Sequence, residues 1–279
     1  SAGSVTVDQT APASQKTQGV VTTGGDNQVA GYWNSGNTGV DITVPIADDS
    51  SINGGTVQLL VSTDGGGSFV PLDTPSTISA VNTNKTISVA GGVLEGVAGF
   101  GESDVLQFKA TITDTSGNAT TGTVSDTTLT VDQTAATIST SSIASDNETV
   151  TLAKTGDTVT LTIATNENVS SPTVTFTSGG AAATNADTVS GASPGTSFTS
   201  AYTVDASDTD GTVAISITAT DVAGNTTSGF TTISAGSVTV DQTAPASQKT
   251  QGVVTTGGDN QVAGYWNSGN TGVDITVPI

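Results

Sequence analysis

The first 46 residues of the chain return unchanged as its last 46. Residues 1–46 and 234–279 are identical at every position, with an offset of 233 residues. Identity of that length indicates tandem duplication, and a repeat of fixed period restricts the fold to units that follow one another along the chain. The sequence therefore predicts a modular array instead of a single globular domain.

A shorter motif subdivides this period. The sequence Val-Asp-Gln-Thr-Ala occurs three times, at 7–11, 131–135 and 240–244. Each copy follows an alternating segment that predicts a β-strand, and two copies continue into a proline, Pro12 or Pro245. The spacings between the motif aspartates Asp8, Asp132 and Asp241 are 124 and 109 residues, about the length of an immunoglobulin-like sandwich. We interpret these motifs as the joints between domains.

The joints divide the chain into four segments. Residues 1–8 are predicted as the last strand of a preceding domain, 9–132 as a first immunoglobulin-like domain, 133–241 as a second, and 242–279 as the start of a third that repeats 9–46. Thr, Ser, Val and Gly dominate, and little in the composition favours helices. The predicted fold class is all-β, with tandem immunoglobulin-like Greek-key β-sandwich domains arranged as an elongated rod.

The composition argues against catalysis. The chain has no Cys and no His, so it has no disulfides and no nucleophile activated by histidine. A pair of carboxylates could serve a hydrolase, but the acidic residues lie in predicted turns, where hydrogen-bonding or metal-binding roles explain them. We expect that the protein is not an enzyme.

The net charge of −20 comes from 25 carboxylates and five lysines. This balance argues against binding to nucleic acid or to anionic membranes, both of which attract Lys and Arg. The chain has no apolar run of about 18 residues, so the sequence predicts no segment that inserts into a membrane. The charge favours either a well-solvated surface or sites for hard cations.

Four stretches of the second domain carry a family likeness: 156–162, 206–213, 221–225 and 240–245. They resemble bacterial immunoglobulin-like repeats, the stalk modules of giant adhesins that Gram-negative bacteria export by type I secretion (biofilm-associated and RTX-type adhesins). In the first domain the resemblance is weaker and rests on 37–40, 114–118 and the linkers.

The resemblance implies a stalk on the outer surface of a Gram-negative cell, stiffened by Ca²⁺ at its interdomain junctions. Neighbouring repeats of the same chain are the implied partners. We expect the export signal, and the tip that binds the adhesive target, to lie elsewhere in the parent protein. The sequence departs from the pattern at Ala136, where the linker proline is missing, so proline does not stiffen the central joint.

The acidic residues also predict cation sites without the resemblance. Strand direction alternates in a Greek-key sandwich, so the loops after the second and sixth strands lie at the end where the chain enters. Clustered carboxylates repel one another unless a cation lies between them, and Ca²⁺ prefers oxygen ligands. The predicted ligands are Asp8, Asp48, Asp49, Asp114 and Asn118 at the joint into the first domain; Glu102, Asp104, Asp132, Glu167, Asp221 and Asn225 at the central joint; and Asp157, Asp205, Asp208, Asp210 and Asp241 at the exit of the second domain.

Turn chemistry offers a second explanation for part of this set. In the turns at 114–118 and 221–225, which read Asp-x-x-Gly-Asn, we expect Asp to accept backbone hydrogen bonds while Gly and Asn take positive φ. Similarly, Asp64 is predicted to bond to the backbone of a hairpin turn over 62–69. These roles hold whether or not a cation binds.

Two other functions remain open. Tyr32, Trp33 and the loop 48–53 could form a glycan-binding surface, although we favour a place in the core for the two aromatic residues. The repeats could also assemble laterally as an S-layer or matrix scaffold. The alternating Thr158, Thr160 and Thr162 are compatible with a flat ice-binding face, but an ordinary half-exposed strand is the favoured interpretation.

Overall fold

The computed structural model describes residues 5–17, 19–25, 27–185, 189–247, 252–259 and 261–276. The chain divides into two compact units, Ser1–Val240 and Asp241–Ile279. The first unit contains two hydrophobic cores. Along the sequence, the last buried residue of the first core is Val131 and the first buried residue of the second is Ala136. We call the regions around these cores the first and second domains, and Asp241–Ile279 the C-terminal unit.

The first domain is a β-sandwich. Its strands are β1 (Gly19–Thr23), β2 (Tyr32–Trp33), β3 (Gly39–Ile46), β4 (Thr56–Ser62), β5 (Val70–Thr77), β6 (Thr83–Ala90), β7 (Val105–Thr113), β8 (Ala119–Thr121) and β9 (Leu129–Val131). One sheet has the order β1-β3-β6, and the other has the order β2-β9-β7-β4-β5, with β8 paired to β7. Strands β2 and β9 pair in parallel, and the other pairs are antiparallel.

The second domain repeats this arrangement. Its strands are β10 (Ile138–Ser145), β11 (Leu152–Ala153), β12 (Thr158–Val169), β13 (Thr173–Ser178), β14 (Ala181–Ala182), β15 (Gly195–Thr203), β16 (Gly211–Thr220), β17 (Thr226–Phe230) and β18 (Thr239–Val240). The sheets have the orders β10-β12-β15 and β11-β18-β16-β13-β14, with β17 paired to β16. A short parallel pair, β11 with β18, again lies at one edge. The predicted all-β sandwich class is confirmed.

Alternation along the strands builds the cores. In β3 the side chains of Val40, Ile42 and Val44 are fully buried, and the residues between them are half-buried. This is the pattern of a strand with one face on a core. Trp33 is also fully buried, which confirms its predicted place in the core.

Two local features differ from the sequence interpretation. A short helix, α1 (Gly91–Glu95), follows β6 with Leu94 in the core, although no helix was expected. The predicted strand before Asp8 is absent over the described residues 5–7, and residues 1–4 lie outside the described part. A strand needs a neighbour for its backbone hydrogen bonds. The identical residues Thr239–Val240 have such neighbours in β11 and β16.

The C-terminal unit contains two antiparallel strands, β19 (Gly252–Gly258) and β20 (Asn270–Thr276). The apolar side chains whose burial is described in this unit are exposed, including Trp266, which corresponds to Trp33 in the duplicated sequence. Within the described ranges, no helix has the length and apolar character needed to cross a membrane.

The duplication provides a matched test of core packing. Ile42 is fully buried, whereas its sequence twin Ile275 is 60% exposed. We expect Ile42→Ala to destabilise the first domain by about 2–5 kcal/mol, because it deletes buried methyl groups and leaves a cavity. Ile275→Ala should change the free energy of unfolding by less than about 0.5 kcal/mol. Calorimetric unfolding of the two variants checks this difference, and equal effects would contradict the assigned burial.

Candidate cation site at the joint between the two domains

Three carboxylates meet where the first domain passes the chain to the second. Oxygen atoms of Asp132, Glu167 and Asp221 all lie within 4.8 Å of one another. Asp132 follows β9, Glu167 lies near the end of β12, and Asp221 follows β16. The sequence predicted all three for this joint, and the structure brings them together.

The strand register explains how Glu167 reaches the site. The pairing of β12 with β15 shifts between Ala164 and Val169, so the strand is irregular where Glu167 lies. Val169 then forms a bridge with Asp221, which places the end of β12 beside the turn after β16. The sequence predicted a loop over 166–168. The structure instead continues the strand through these residues and displaces Glu167 by a bulge.

A tight turn holds Asp221 in place. Its Oδ1 accepts hydrogen bonds from the backbone N–H groups of Ala223, Gly224 and Asn225, at 2.8–2.9 Å. Gly224 has φ of +100°, as the turn motif predicted, but Asn225 does not have positive φ, so that part of the prediction was wrong. Asp221 is only 3% exposed, so its charge lies largely out of water.

Asn225 connects the carboxylates to both domains. Its Nδ2 donates to the carbonyl oxygen of Asp132 at 2.9 Å, to the Asp132 Oδ1 at 3.2 Å and to the Asp221 Oδ2 at 3.0 Å. Its Oδ1 accepts from the backbone N–H of Ser35 at 3.0 Å and from the Ser35 hydroxyl at 2.7 Å. Asn225 therefore orients the site by donating hydrogen bonds to two of its carboxylates.

Asn34 makes a second contact across the joint that the sequence reasoning missed. Its Nδ2 donates to the carbonyl oxygen of Ala223 at 2.7 Å and to that of Asn27 at 2.6 Å. Asn34 is held in a local turn, since its backbone N–H donates to Asn37 Oδ1 at 2.8 Å. The spacing of these two asparagines indicates such a turn, but nothing in the sequence shows which domain the turn contacts.

The carboxylates of the site repel one another. Burial, together with the charges of Asp221, Glu167 and Glu102, raises the pKa of Asp132 to about 6. The pKa of Glu167 is raised as well, mainly by burial and by the charge of Asp221. Among the described residues, the one ion pair between side chains joins Lys16 to Asp126. No described lysine therefore pairs with the three carboxylates.

The first domain contributes Glu102 and Asp104 at this end. Glu102 Oε2 accepts a hydrogen bond from the backbone N–H of Gln133 at 3.0 Å, so it contacts the linker directly. The backbone of Asp104 bonds to Val131 at 2.8 Å, and its Oδ2 is buried without a hydrogen-bond partner. Asp104 does not belong to the group of three carboxylates.

The linker between the two domains, residues 132–136, is fixed in place although it lacks proline. Gln133 Nε2 donates to Glu95 Oε1 at 2.8 Å, and the same oxygen accepts the Trp33 indole N–H at 3.1 Å. Ala136 is fully buried in the second core, and its carbonyl oxygen accepts a hydrogen bond from the Thr227 hydroxyl. Contacts with both domains therefore constrain this linker where a proline would otherwise stiffen it.

The turn at the start of the first domain has the same design. Asn118 Nδ2 donates to the carbonyl oxygen of Asp8 at 3.2 Å and to Asp114 Oδ2 at 2.9 Å. The hydrogen bond from Asn118 lowers the pKa of Asp114. Asp49 Oδ1 instead accepts from the backbone N–H of Ser51 at 2.9 Å, where it caps a short 3-10 turn. Among the described residues, Asp8, Asp48, Asp49 and Asp114 form no group of three carboxylates.

Three of the predicted ligands at the exit of the second domain accept hydrogen bonds from other groups of that domain. Asp157 accepts from the Asn147 side chain at 2.7 Å, and this bond lowers its pKa. Asp205 accepts from Ser207, and its pKa is lowered too. Asp208 Oδ1 accepts from the Thr184 backbone at 3.0 Å. For these residues, and for Asp210 and Asp241, a role in binding cations stays a prediction.

Comparisons with known proteins establish no family for the chain. No family model matches it, and no curated protein sequence matches it. Similar solved structures include the I-band fragment I67–I69 of titin (9% identity, TM-score 0.39, 82% of this chain and 64% of that one). Another is a tetra-tandem repeat from the extending region of a large adhesion protein (19% identity, TM-score 0.30, 88% and 53%). A third is SGBP-B from the Bacteroides ovatus mixed-linkage glucan utilization locus in complex with a heptasaccharide (15% identity, TM-score 0.21, 95% and 61%).

The two Asp-x-x-Gly-Asn turns allow a matched test of the joint. A Cβ on Gly224 would lie 2.8 Å from the carbonyl oxygen of Asn27 and 3.0 Å from Asn34 Nδ2, whereas one on Gly117 would meet nothing within 4 Å. Both glycines have positive φ, so an alanine at either position costs about 1–2 kcal/mol of backbone strain. We expect Gly224→Ala, but not Gly117→Ala, also to loosen the contact between the domains. Small-angle scattering checks this, and unchanged dimensions for Gly224→Ala would contradict the contact.

The raised pKa of Asp132 predicts an unusual pH dependence in metal-free buffer. The folded protein keeps a proton on this group that the unfolded chain loses near its ordinary pKa of 3.8. The contribution of Asp132 to stability should therefore fall as pH rises from about 4 to about 7. Asp132→Asn should flatten this slope in calorimetric unfolding, and Asp157→Asn should leave it in place. A slope unaffected by Asp132→Asn would refute the assignment.

Proposed function

We propose that this chain is a stalk segment of a large bacterial surface adhesin, and that Ca²⁺ bound at the joint between its domains stiffens it. The meeting of Asp132, Glu167 and Asp221 at that joint carries the proposal. The duplicated sequence and the resemblance to adhesin repeats support the role of a stalk, whose adhesive tip would lie elsewhere in the parent protein.

The residues at the joint fit a hard cation. All the donors are oxygens, and the chain contains no His or Cys that would favour zinc or a softer metal. Burial, and the charges of the neighbouring carboxylates, raise the pKa values of Asp132 and Glu167, so a cation at this position would favour their ionised forms. Ca²⁺ accepts six to eight oxygens in flexible geometry, whereas Mg²⁺ requires a near-octahedral set and retains its waters. We therefore favour Ca²⁺ as the ion.

The three carboxylates come from two different segments, the linker and the second domain. A cation bound to all three would join these segments and so stiffen the joint. Asp132 belongs to the linker, whereas Glu167 and Asp221 belong to the second domain. Glu102 of the first domain binds the next linker residue, Gln133, and lies close enough to raise the pKa of Asp132. A bound cation would remove the repulsion among these groups and tie the linker to the second domain.

The contacts of Asn225 with Ser35, and of Asn34 with Ala223, should persist without the cation. They join neutral amides, hydroxyls and backbone groups across the joint, and they do not depend on the charges of the carboxylates. Removing the ion should therefore loosen the joint without separating the domains. Each domain has its own hydrophobic core, so both should stay folded.

The buried position of Trp33 weakens the glycan-binding alternative. Aromatic platforms for sugars need an exposed ring face, but Trp33 is fully buried and its indole N–H bonds to Glu95. The remaining elements of that alternative are Tyr32, which is half-buried, and the loop 48–53. Tandem copies of near-identical sequence also suit a spacer better than a specific binding surface.

Removing the metal provides the direct test. We expect Ca²⁺ to raise the unfolding temperature relative to EDTA-treated protein, because a ligand that binds only the folded state stabilises it by about 2.7 kcal/mol at 100 times its Kd. Scattering should show a longer maximum dimension, with less variation, in Ca²⁺ than in EDTA. Asp132→Asn and Glu167→Gln should each reduce both responses.

Asp73→Asn serves as the matched control. It removes one carboxylate from strand β5 of the first domain, and Asn tolerates the positive φ found there. This variant should respond to Ca²⁺ as the wild-type chain does. If the unfolding temperature and the maximum dimension of the wild-type chain are the same in Ca²⁺ and EDTA, the proposal of a calcium-stiffened stalk fails.

A further inference from the structure

Asn225 lies between the two domains, and the two ends of its amide face different partners. Its Oδ1 accepts hydrogen bonds from the backbone N–H of Ser35 at 3.0 Å and from the Ser35 hydroxyl at 2.7 Å. Its Nδ2 donates to the carbonyl oxygen of Asp132 at 2.9 Å and to Asp221 Oδ2 at 3.0 Å. Asn225 is only 3% exposed, so protein groups, and not water, satisfy its amide.

These partners fix the direction in which the amide points. The backbone N–H of Ser35 can only donate a hydrogen bond, so it requires the amide oxygen of Asn225. The carbonyl oxygen of Asp132 can only accept, so it requires the amide nitrogen. A rotated amide would place a donor against a donor on one side and an acceptor against an acceptor on the other. Ser35 therefore holds the donors of Asn225 toward the carboxylates of the joint.

This orientation limits what Asn225 can do for a cation. Hard cations need oxygen ligands, but the oxygen of this amide faces Ser35. The amide nitrogen cannot take its place, because an amide NH₂ group only donates hydrogen bonds. As long as Ser35 holds it, Asn225 can assist a cation only by positioning Asp132 and Asp221. An ionised carboxylate has about four acceptor sites, so a hydrogen bond from Asn225 leaves others for the ion.

We propose that Ser35 couples the packing of the first domain to the affinity of the joint for Ca²⁺, because it holds Asn225 in the orientation that keeps Asp132 and Asp221 together. The coupling rests on the proposed function and adds its regulation. With Ser35 in place, the carboxylates are arranged before the ion binds, and preorganisation of this kind increases affinity. Without Ser35 the amide is free to rotate, and the carboxylates lose a shared donor that opposes their repulsion.

The coupling acts in both directions. If contact with Ser35 strengthens the binding of Ca²⁺, then bound Ca²⁺ strengthens that contact by the same factor. The three carboxylates belong to the linker and the second domain, so an ion bound to them has no ligand among these three in the first domain. Asn225 provides the connection that lets the ion hold the first domain as well. A pull that separates Ser35 from Asn225 would in turn weaken the binding of the ion.

Ser35→Pro removes both donors to Asn225 at once. Ser35 follows Asn34 in a turn closed by the hydrogen bond from Asn37 N to Asn34 O at 3.1 Å, and proline is favoured at the second position of such a turn. We expect this variant to raise the Kd for Ca²⁺ at least about 5-fold, measured by calorimetric titration of the full chain. Ser35→Ala loses only the hydroxyl and should have a smaller effect. Ser35→Thr keeps both donors and should bind as the wild-type chain does.

The duplicated sequence supplies a matched control. Ser268 is the sequence twin of Ser35, it is exposed, and its turn is closed by the equivalent hydrogen bond from Asn270 N to Asn267 O at 3.1 Å. Ser268→Pro therefore introduces the same substitution into the same turn away from the central joint. We expect it to leave the Kd for Ca²⁺ unchanged. A Kd raised as much by Ser268→Pro as by Ser35→Pro would overturn the proposal.

A double-mutant cycle shows whether Ser35 acts through Asn225. Asn225→Ala removes the amide but keeps the backbone N–H that bonds to Asp221. Ser35→Pro should raise the Kd in the wild-type background and leave it unchanged in the Asn225→Ala background, and Ser35→Ala serves in the same cycle if proline disturbs the fold.

The cycle also distinguishes two failures. Equal fold-changes in both backgrounds, or a Ser35→Pro variant with wild-type affinity, would overturn the coupling while leaving the calcium site of the proposed function in place. A wild-type chain that binds no Ca²⁺ in the titration would overturn both.

Discussion

The carboxylates at the joint repel one another, and this repulsion has to be compensated where the two domains meet. Asp132, Glu167 and Asp221 lie within 4.8 Å of one another, and no lysine forms an ion pair with them in the described part of the chain. Burying like charges together is unfavourable unless protons or a cation compensate them. The turn at 221–225 reduces this cost by directing backbone N–H groups and the Asn225 amide toward the carboxylates. The remaining charge is what the proposed cation would compensate.

The same turn has different consequences in its two settings. In both domains an asparagine links the turn aspartate to the linker aspartate, through Asn118 or Asn225. At the central joint the neighbouring first domain adds Ser35, which binds the asparagine oxygen, while Glu167 adds the third carboxylate. At the central joint, a second domain and a third carboxylate therefore add to the contacts that this local motif makes by itself.

The duplicated segment shows the same dependence on context. Its two strands, their register and its asparagine turn form in both copies, because local hydrogen bonds and alternation specify them. Burial of its tryptophan, and the short strand that carries it, occur only where β6 and β9 are present to receive them. Strand pairing therefore separates the part of the segment that folds from its own sequence from the part that depends on a partner sheet.

Sequence alone determined the all-β class, the repeat, the alternating core positions such as those of β3, and the placement of Asp132, Glu167 and Asp221 at one end of the second domain. Those features follow from periodicity and from the alternating direction of strands. Only the tertiary structure decided that Asn34 and Ser35 cross the joint, that a bulge carries Glu167 to Asp221, and that Asp157 and Asp205 serve turns. It also decided that one copy of the tryptophan is buried while the other is exposed. These outcomes depend on contacts between residues far apart in the chain, which no local pattern encodes.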